Sequence, residues 1–227
     1  MEVVDFIENQ LNAMDFSIVI NDYTVVGTET ELYVCQTFHA RKGSIITIDA
    51  VEYEVNTVVN NTTIIIEGLP ATPTLGTLQT PNYFHGTAMA VNAELPSLAK
   101  DLKFPMLYCY EIIPEEFNNN VDSSIDREAE LRLYFLDNAD FQNWTTDEHY
   151  NYVINGMKNF QQHMIAKFND CPKIADFDNY RIINHVKFGV WTERGHTNRV
   201  FNENLSGVEL LVTLPLKKLF CDPNSAC

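Results

Sequence analysis

"ERGHTNRVFNENLSGVELLVTLPLKK" spans Glu193–Lys218 and changes character halfway. Its second half places Val208, Leu210, Val212, Leu214 and Leu216 on one face. Glu209, Leu211, Thr213, Pro215 and Lys217 fall on the other. A period of two predicts a strand with one face on a core. Pro215 has no N–H, so the strand is expected to reach an edge or leave the sheet there. Upstream, "IINHVKFGVWT" (Ile182–Thr192) alternates too, with Val186, Phe188 and Val190 on one side. The two strands predict an antiparallel hairpin whose connection, Glu193–Ser206, is longer than hairpin loops usually are. That connection is polar and locally basic. Arg194, His196, Asn198 and Arg199, with Phe201 and Asn202 beside them, are candidates for contact with an acidic partner surface. The plainer reading of the same residues is a solvated hairpin tip.

Working outward, residues 2–14 put Val3, Phe6, Ile7, Leu11 and Met14 on one helical stripe. Residues 1–16 are thus expected to form an amphipathic helix packed on the main core. Its apolar face needs a partner in this chain or in a neighbouring subunit, which makes Phe6, Ile7 and Leu11 further subunit-contact candidates. Residues 17–69 contain the β-rich runs "SIVI", "TELYVCQTF", "SIITID", "VEYEVNTVV" and "TTIIIEG", divided by turn signals. They predict an inserted all-β module, barrel or sandwich. No aromatic stripe with basic residues runs through it, which disfavours an oligonucleotide-binding barrel. Residues 70–84 are proline-rich and read as a linker or an extended arm.

Residues 85–227 read as an α/β core domain. "NAELPSLAKDL" predicts a short helix capped by Asn92 with Leu95, Leu98, Ala99 and Leu102 inward. "FPMLYCYEII" reads as a central strand covered on both faces. "EAELRLYFLD" reads as another strand, with a polar loop, Pro114–Arg127, between the two. "TTDEHYNYVINGMKNFQQHMIAKF" is the strongest helix signal. Thr145 and Glu148 form a capping box, and an apolar stripe runs from Tyr150 to Phe168. The expected fold class is α+β: a small, mainly antiparallel four-stranded sheet with packed helices, plus the β module.

Bulk properties narrow the function classes. The chain has 227 residues, 45% apolar and 11% aromatic, which fits a folded globular protein. No apolar run is long enough to span a bilayer, and the acidic N-terminal stretch lacks signal-peptide features. A formal charge of −16 favours solubility and repels nucleic acid. The five cysteines include no CxxC and no metal-like spacing. Cys35 and Cys109 sit in apolar strand-like runs and read as core residues, in a reducing compartment. Cys221 and Cys227 lie close enough in sequence to pair under oxidation. Asn61, Asn143 and Asn204 begin glycosylation sequons, but with 23 asparagines such matches arise by chance.

No phosphate loop, dinucleotide fingerprint, nucleophile elbow or zinc-protease motif is present. His149 and His163 are too far apart on one helix to share a metal. Glu115, Glu116 and Asp122 read as a solvated acidic loop. Cys109 lies mid-strand, where thiols are inert. No enzyme, cofactor or metal is expected.

Three blocks carry a family resemblance: "FHGT…NAEL…FPMLYCYEII", "SSIDREAELRLYFLDNADFQNWTTDEHYNYVINGM" and "GHTNRVFNENLSGVELLVTLPLK". In order and spacing, over about residues 83–218, they resemble the neck/tail-terminator-like ring proteins of tailed phages of Bacteroidetes, crAss-like phages included. The resemblance implies a tail-terminator-like fold and a structural role at the portal, neck or tail junction. It implies self-assembly into a sixfold or twelvefold ring around a channel through which DNA passes without specific binding. Other partners would be portal, neck or tail proteins of the same virion, with no membrane involved; the protein would be made in the host cytoplasm. A second reading is a virion accessory or host-ligand binding module, adhesin-like, that uses the β-rich domain. A third is a hydrolase with an unrecognised site.

Overall fold

The structure is a computed structural model, and it describes residues 2–98, 103–118, 123–194 and 196–218. Helix α1 (Val3–Asn12) comes first. Six strands follow: β1 (Ser17–Val26), β2 (Glu29–Val34), β3 (Ile45–Ile48), β4 (Val51–Asn60), β5 (Thr63–Glu67) and β6 (Leu75–Leu78). They close into an antiparallel barrel in the order β1-β2-β5-β4-β3-β6. Alternation explains the closure. Ile18, Ile20, Leu32, Ile46, Ile64 and Ile66 all point inward and are buried. β1 and β4 are long enough to serve two neighbours each. β1 pairs β6 through Ser17–Val19 and β2 through Ile20–Val26, with a register shift between Ile20 and Asp22 in the latter. Gly76 lets β6 close the ring, because a Cβ there would meet Ile46 Cδ1 at 2.6 Å.

The rest of the chain supplies β7 (Asn82–Gly86), α2 (Ala88–Glu94), β8 (Met106–Tyr110), β9 (Glu115–Phe117) and β10 (Ile125–Asn138). Next come α3 (Thr146–His149) and α4 (Asn155–Asn169), joined by a π-helical turn at Tyr150–Ile154. Strands β11 (Tyr180–Phe188), β12 (Val190–Glu193), β13 (His196–Arg199) and β14 (Leu205–Lys217) complete the chain. The large sheet has the order β11-β14-β10-β8-β7, and β9 pairs the first part of β10. Among the described residues only β7 and β8 run parallel.

This corrects the expected fold class. The protein is mostly β, 47% strand and 21% helix, with a closed six-stranded barrel and a six-stranded sheet in place of a four-stranded sheet with packed helices. The added strands are short and have little apolar alternation. β6 and β7 fall in the proline-rich stretch, and β9 falls in the polar loop before β10. Backbone pairing holds them, and side-chain patterns do not reveal backbone pairing.

β14 also departs from the one-faced strand its sequence suggests. It pairs β10 on one side and β11 on the other, and Leu205–Leu210 are buried on both faces. Pro215 is tolerated inside the β10 ladder, opposite Glu128, because its N faces away from β10, past the end of β11 pairing at Val212, where only its carbonyl is used, accepting the Ala175 N–H at 2.8 Å. The short helix begins earlier than expected. Thr87 caps it, its hydroxyl accepting the Ala90 N–H at 2.9 Å, and Asn92 lies within it. Ala99 and Leu102 lie outside the described residues, as do Cys221 and Cys227. Cys35 is exposed rather than core, whereas Cys109 is buried.

One continuous core joins the barrel, one face of the sheet, α1 and α4. Phe6 of α1 stacks on Phe168 of α4 at 6.2 Å. Phe16 at the barrel entrance meets Phe160 of α4 edge-on at 5.9 Å. The other sheet face carries a smaller cluster around Tyr108, Tyr134, Phe201 and Leu205. Among the described residues no helix is long and apolar enough to cross a membrane.

Candidate functional site

The polar connection between β11 and β14 folds as a second, smaller hairpin. β12 and β13 pair as Val190↔Arg199, Trp191↔Asn198, Thr192↔Thr197 and Glu193↔His196, and among the described residues they form a sheet of two strands. A two-stranded ribbon alone is marginal in water, so its root matters. Gly189, at φ +66, turns the chain out of β11, and the Val200 N–H donates to its carbonyl at 2.9 Å. Phe201 is buried and packs on Phe188 and Tyr108, with ring centroids 5.6 and 6.1 Å away. The Asn202 N–H donates to Asn92 Oδ1 at 2.7 Å, and Arg199 Nη1 donates to Asn204 Oδ1 at 3.0 Å. Lys103 pairs Glu203 at 3.0 Å. The result is an arm with a fixed root and a solvated tip.

The sequence candidates divide accordingly. Arg194, His196 and Arg199 are exposed on the arm, Asn198 is half-buried there, and Asn202 is exposed at its root. Phe201 anchors the arm and offers no surface. Phe6, Ile7 and Leu11 are buried in this chain's own core, so α1 finds its partner within the chain and they are not subunit contacts. Sequence reasoning missed Trp191. It falls on the face of the alternating run opposite Val186, Phe188 and Val190, to which the sequence assigns no role, and it is 48% exposed on the ribbon. Arg194 adopts φ +51 at the tip, a left-handed conformation that two-residue hairpin turns require.

Beside the arm, a cleft of about 940 Å³ separates the barrel from the sheet. Asn204 lines it, so the residue that holds Arg199 also faces the cleft. Arg41 from the β2–β3 connection also lines it, forking both guanidinium arms onto the buried carboxylate of Asp137 at the end of β10. The Asn138 N–H donates to the same carboxylate at 2.6 Å. Burial pushes the Asp137 carboxyl above the usual range, and Arg41 opposes that push. His39, fully buried at the cleft wall, donates Nε2–H to the Gln79 carbonyl at 2.9 Å, leaving Nδ1 buried without a partner. Loss of solvent lowers its pKa to about 4.

The remaining reactive groups are held in structural roles. Ser206 donates to the Val186 carbonyl, so His149 Nδ1 donates to Ser206 Oγ, 2.9 Å away. That is the reverse of a base activating a nucleophile, and both residues are buried. Burial raises the Cys109 thiol to about 11. Glu115 pairs with Arg127 at 2.8 Å, and Asp122 lies outside the described residues. His149 and His163 sit on α3 and α4, the latter against Phe38. Among the described residues no three His, Cys, Asp or Glu side chains are grouped to hold a metal. No known protein family matches the chain, and no curated protein is similar to it.

Proposed function

We propose that this protein is a structural subunit of a tailed-phage virion, forming a ring at the portal, neck or tail junction that surrounds the DNA channel. The arm carries the reading. A ribbon braced at its root by buried aromatic packing, but exposed at Trp191, Arg194, His196 and Arg199, suits docking on another surface. The chain's charge of −16 makes an identical copy an acidic target for a basic arm. An arm on one face and its acceptor on another is a head-to-tail arrangement, which closes into a ring when the rotation per subunit fits. The same negative charge gives a wall that DNA passes without sticking. The spacing of the sequence blocks over residues 83–218 supports placement in a virion neck.

Native mass spectrometry with negative-stain imaging tests this. A closed assembly of six or twelve copies, alone or on a portal, is the expected result. A monomer at high concentration that binds no portal, neck or tail protein overturns it.

A further inference from the structure

The cleft between barrel and sheet has a chemistry that the ring reading does not use. Its outer rim is solvent-exposed at Lys42, Gly43, Glu54, Gln142 and Asn143. Five of its nineteen lining residues are carboxamides, against 29 of 227 in the chain, so the enrichment exceeds this protein's general richness in asparagine. A carboxamide carries a donor and an acceptor a short distance apart, which matches a hydroxyl that is itself both; Asn204 Oδ1 is taken by Arg199 and Asn143 Nδ2 by Asp140, which leaves Asn204 Nδ2 and Asn143 Oδ1 beside Asn138 and Gln142. Two aromatic residues, Trp144 and Tyr152, also line the cleft and touch each other edge-to-face at 5.2 Å.

The charges exclude a strongly ionic ligand. Arg41 and Lys42 are balanced by Glu54 and Asp140. Arg41 is already committed to Asp137, and Asp140 accepts from Asn143 Nδ2 at 2.6 Å. What remains is a mix of amides and aromatic surface. Such a surface recognises a neutral molecule with many hydroxyls and an apolar C–H face. We propose that the cleft binds a neutral carbohydrate, with Trp144 and Tyr152 against the sugar ring and Asn138, Asn143, Gln142 and Asn204 on its hydroxyls. This inference stands whether or not the protein forms a ring.

The chain's two tryptophans make the test specific, because one is in the cleft and the other on the arm. The full chain is labelled with 5-fluorotryptophan and followed by fluorine NMR. Glucose, galactose, mannose, fucose, N-acetylglucosamine and their short oligomers are added at millimolar concentration. The expected result is that at least one moves the Trp144 resonance and leaves Trp191 in place. Asn143→Ala and Gln142→Ala remove exposed side chains, so the fold survives, and each should weaken binding about tenfold. The proposal is overturned if no sugar shifts Trp144, if only Trp191 responds, or if the shift survives both substitutions together. It is equally overturned if the Trp144 signal moves with protein concentration alone, because a second copy then fills the cleft.

Discussion

Arg199 donates to Asn204 at 3.0 Å across the root of the arm, and Asn204 in turn lines the cleft between barrel and sheet. The two surface features of this protein therefore share a residue. The five-residue separation between donor and acceptor spans Phe201, whose buried ring fixes the turn. A displacement of the arm must either break this hydrogen bond or carry the cleft wall with it.

Arg194→Glu with His196→Glu makes the exposed tip of the arm acidic without touching the core or the Arg199–Asn204 hydrogen bond. Surface changes of this kind alter stability by about 0.5 kcal/mol or less. Assembly should be lost while the thermal midpoint stays nearly constant, as read by native mass spectrometry and a melting curve. Trp191→Ala should weaken assembly while leaving any portal-independent monomer folded. If the charge-reversed protein assembles like the parent, the arm is not the subunit contact.

At Gly207 β14 runs tight against β10. A Cβ at this position would lie 2.0 Å from the Phe135 carbonyl oxygen, and the residue pairs Leu136 on one side and His185 on the other. Backbone on that side cannot retreat without opening the central ladder. Gly207→Ala should destabilise by about 3 kcal/mol or more, in the range of severe overpacking. Gly27→Ala is the control, since no atom lies within 4 Å of its Cβ position and only its φ of +67 opposes the change. Gly207 also has a positive φ, +158, so both variants carry backbone strain and the excess loss in Gly207→Ala, read by chemical denaturation, reports the clash with β10.

How much of this was legible in the sequence depends on what each signal measures. Periodicity located α1, α4 and β14, because long apolar repeats record burial directly. It could not say whether Phe6, Ile7 and Leu11 face this chain or another, since both give the same stripe. It also missed β6, β7, β9 and β13, of which only β7 is longer than four residues and all of which are held by backbone hydrogen bonds, and it ran β11 and β12 together as one strand. The arm's charged residues were visible because they are contiguous. Trp191 was not, because a single aromatic on the second face of an alternating run carries no contact signal of its own. The cleft assembles side chains from Arg41 to Asn204, a separation that one sequence does not encode in any local pattern.

Arg41 and Asp137 join barrel to sheet across 96 residues of sequence, with Asp137 fully buried and Arg41 partly open to solvent. That asymmetry predicts unequal losses. Arg41→Ala strands a buried carboxylate and should cost about 3–5 kcal/mol. Asp137→Asn leaves an arginine that still reaches water and the Lys42 carbonyl, so it should cost less. In the Arg41→Ala protein the folded-state pKa of Asp137 is raised further above its unfolded value. Its penalty is therefore smallest at low pH and grows as pH rises through the carboxylate range. Urea denaturation at several pH values measures this. An Arg41→Ala loss that does not depend on pH would mean that Asp137 finds another partner.

His39 sets the opposite slope. Burial lowers its pKa from 6.5 to about 4 in the folded state, and the unfolded chain takes up the proton first. Stabilisation is thus complete above about pH 6.5 and is lost as pH falls toward 4, by up to about 3 kcal/mol from this residue alone. His149 and His163 are also lowered by burial and add to the same slope. His39→Gln keeps an N–H donor for the Gln79 carbonyl but cannot titrate. Its stability should therefore fall less steeply than the parent's between pH 6.5 and 4, with a similar value at neutral pH. Equal slopes for the two proteins would show that His39 is solvated when the folded chain is in water, and with it the wall of the cleft.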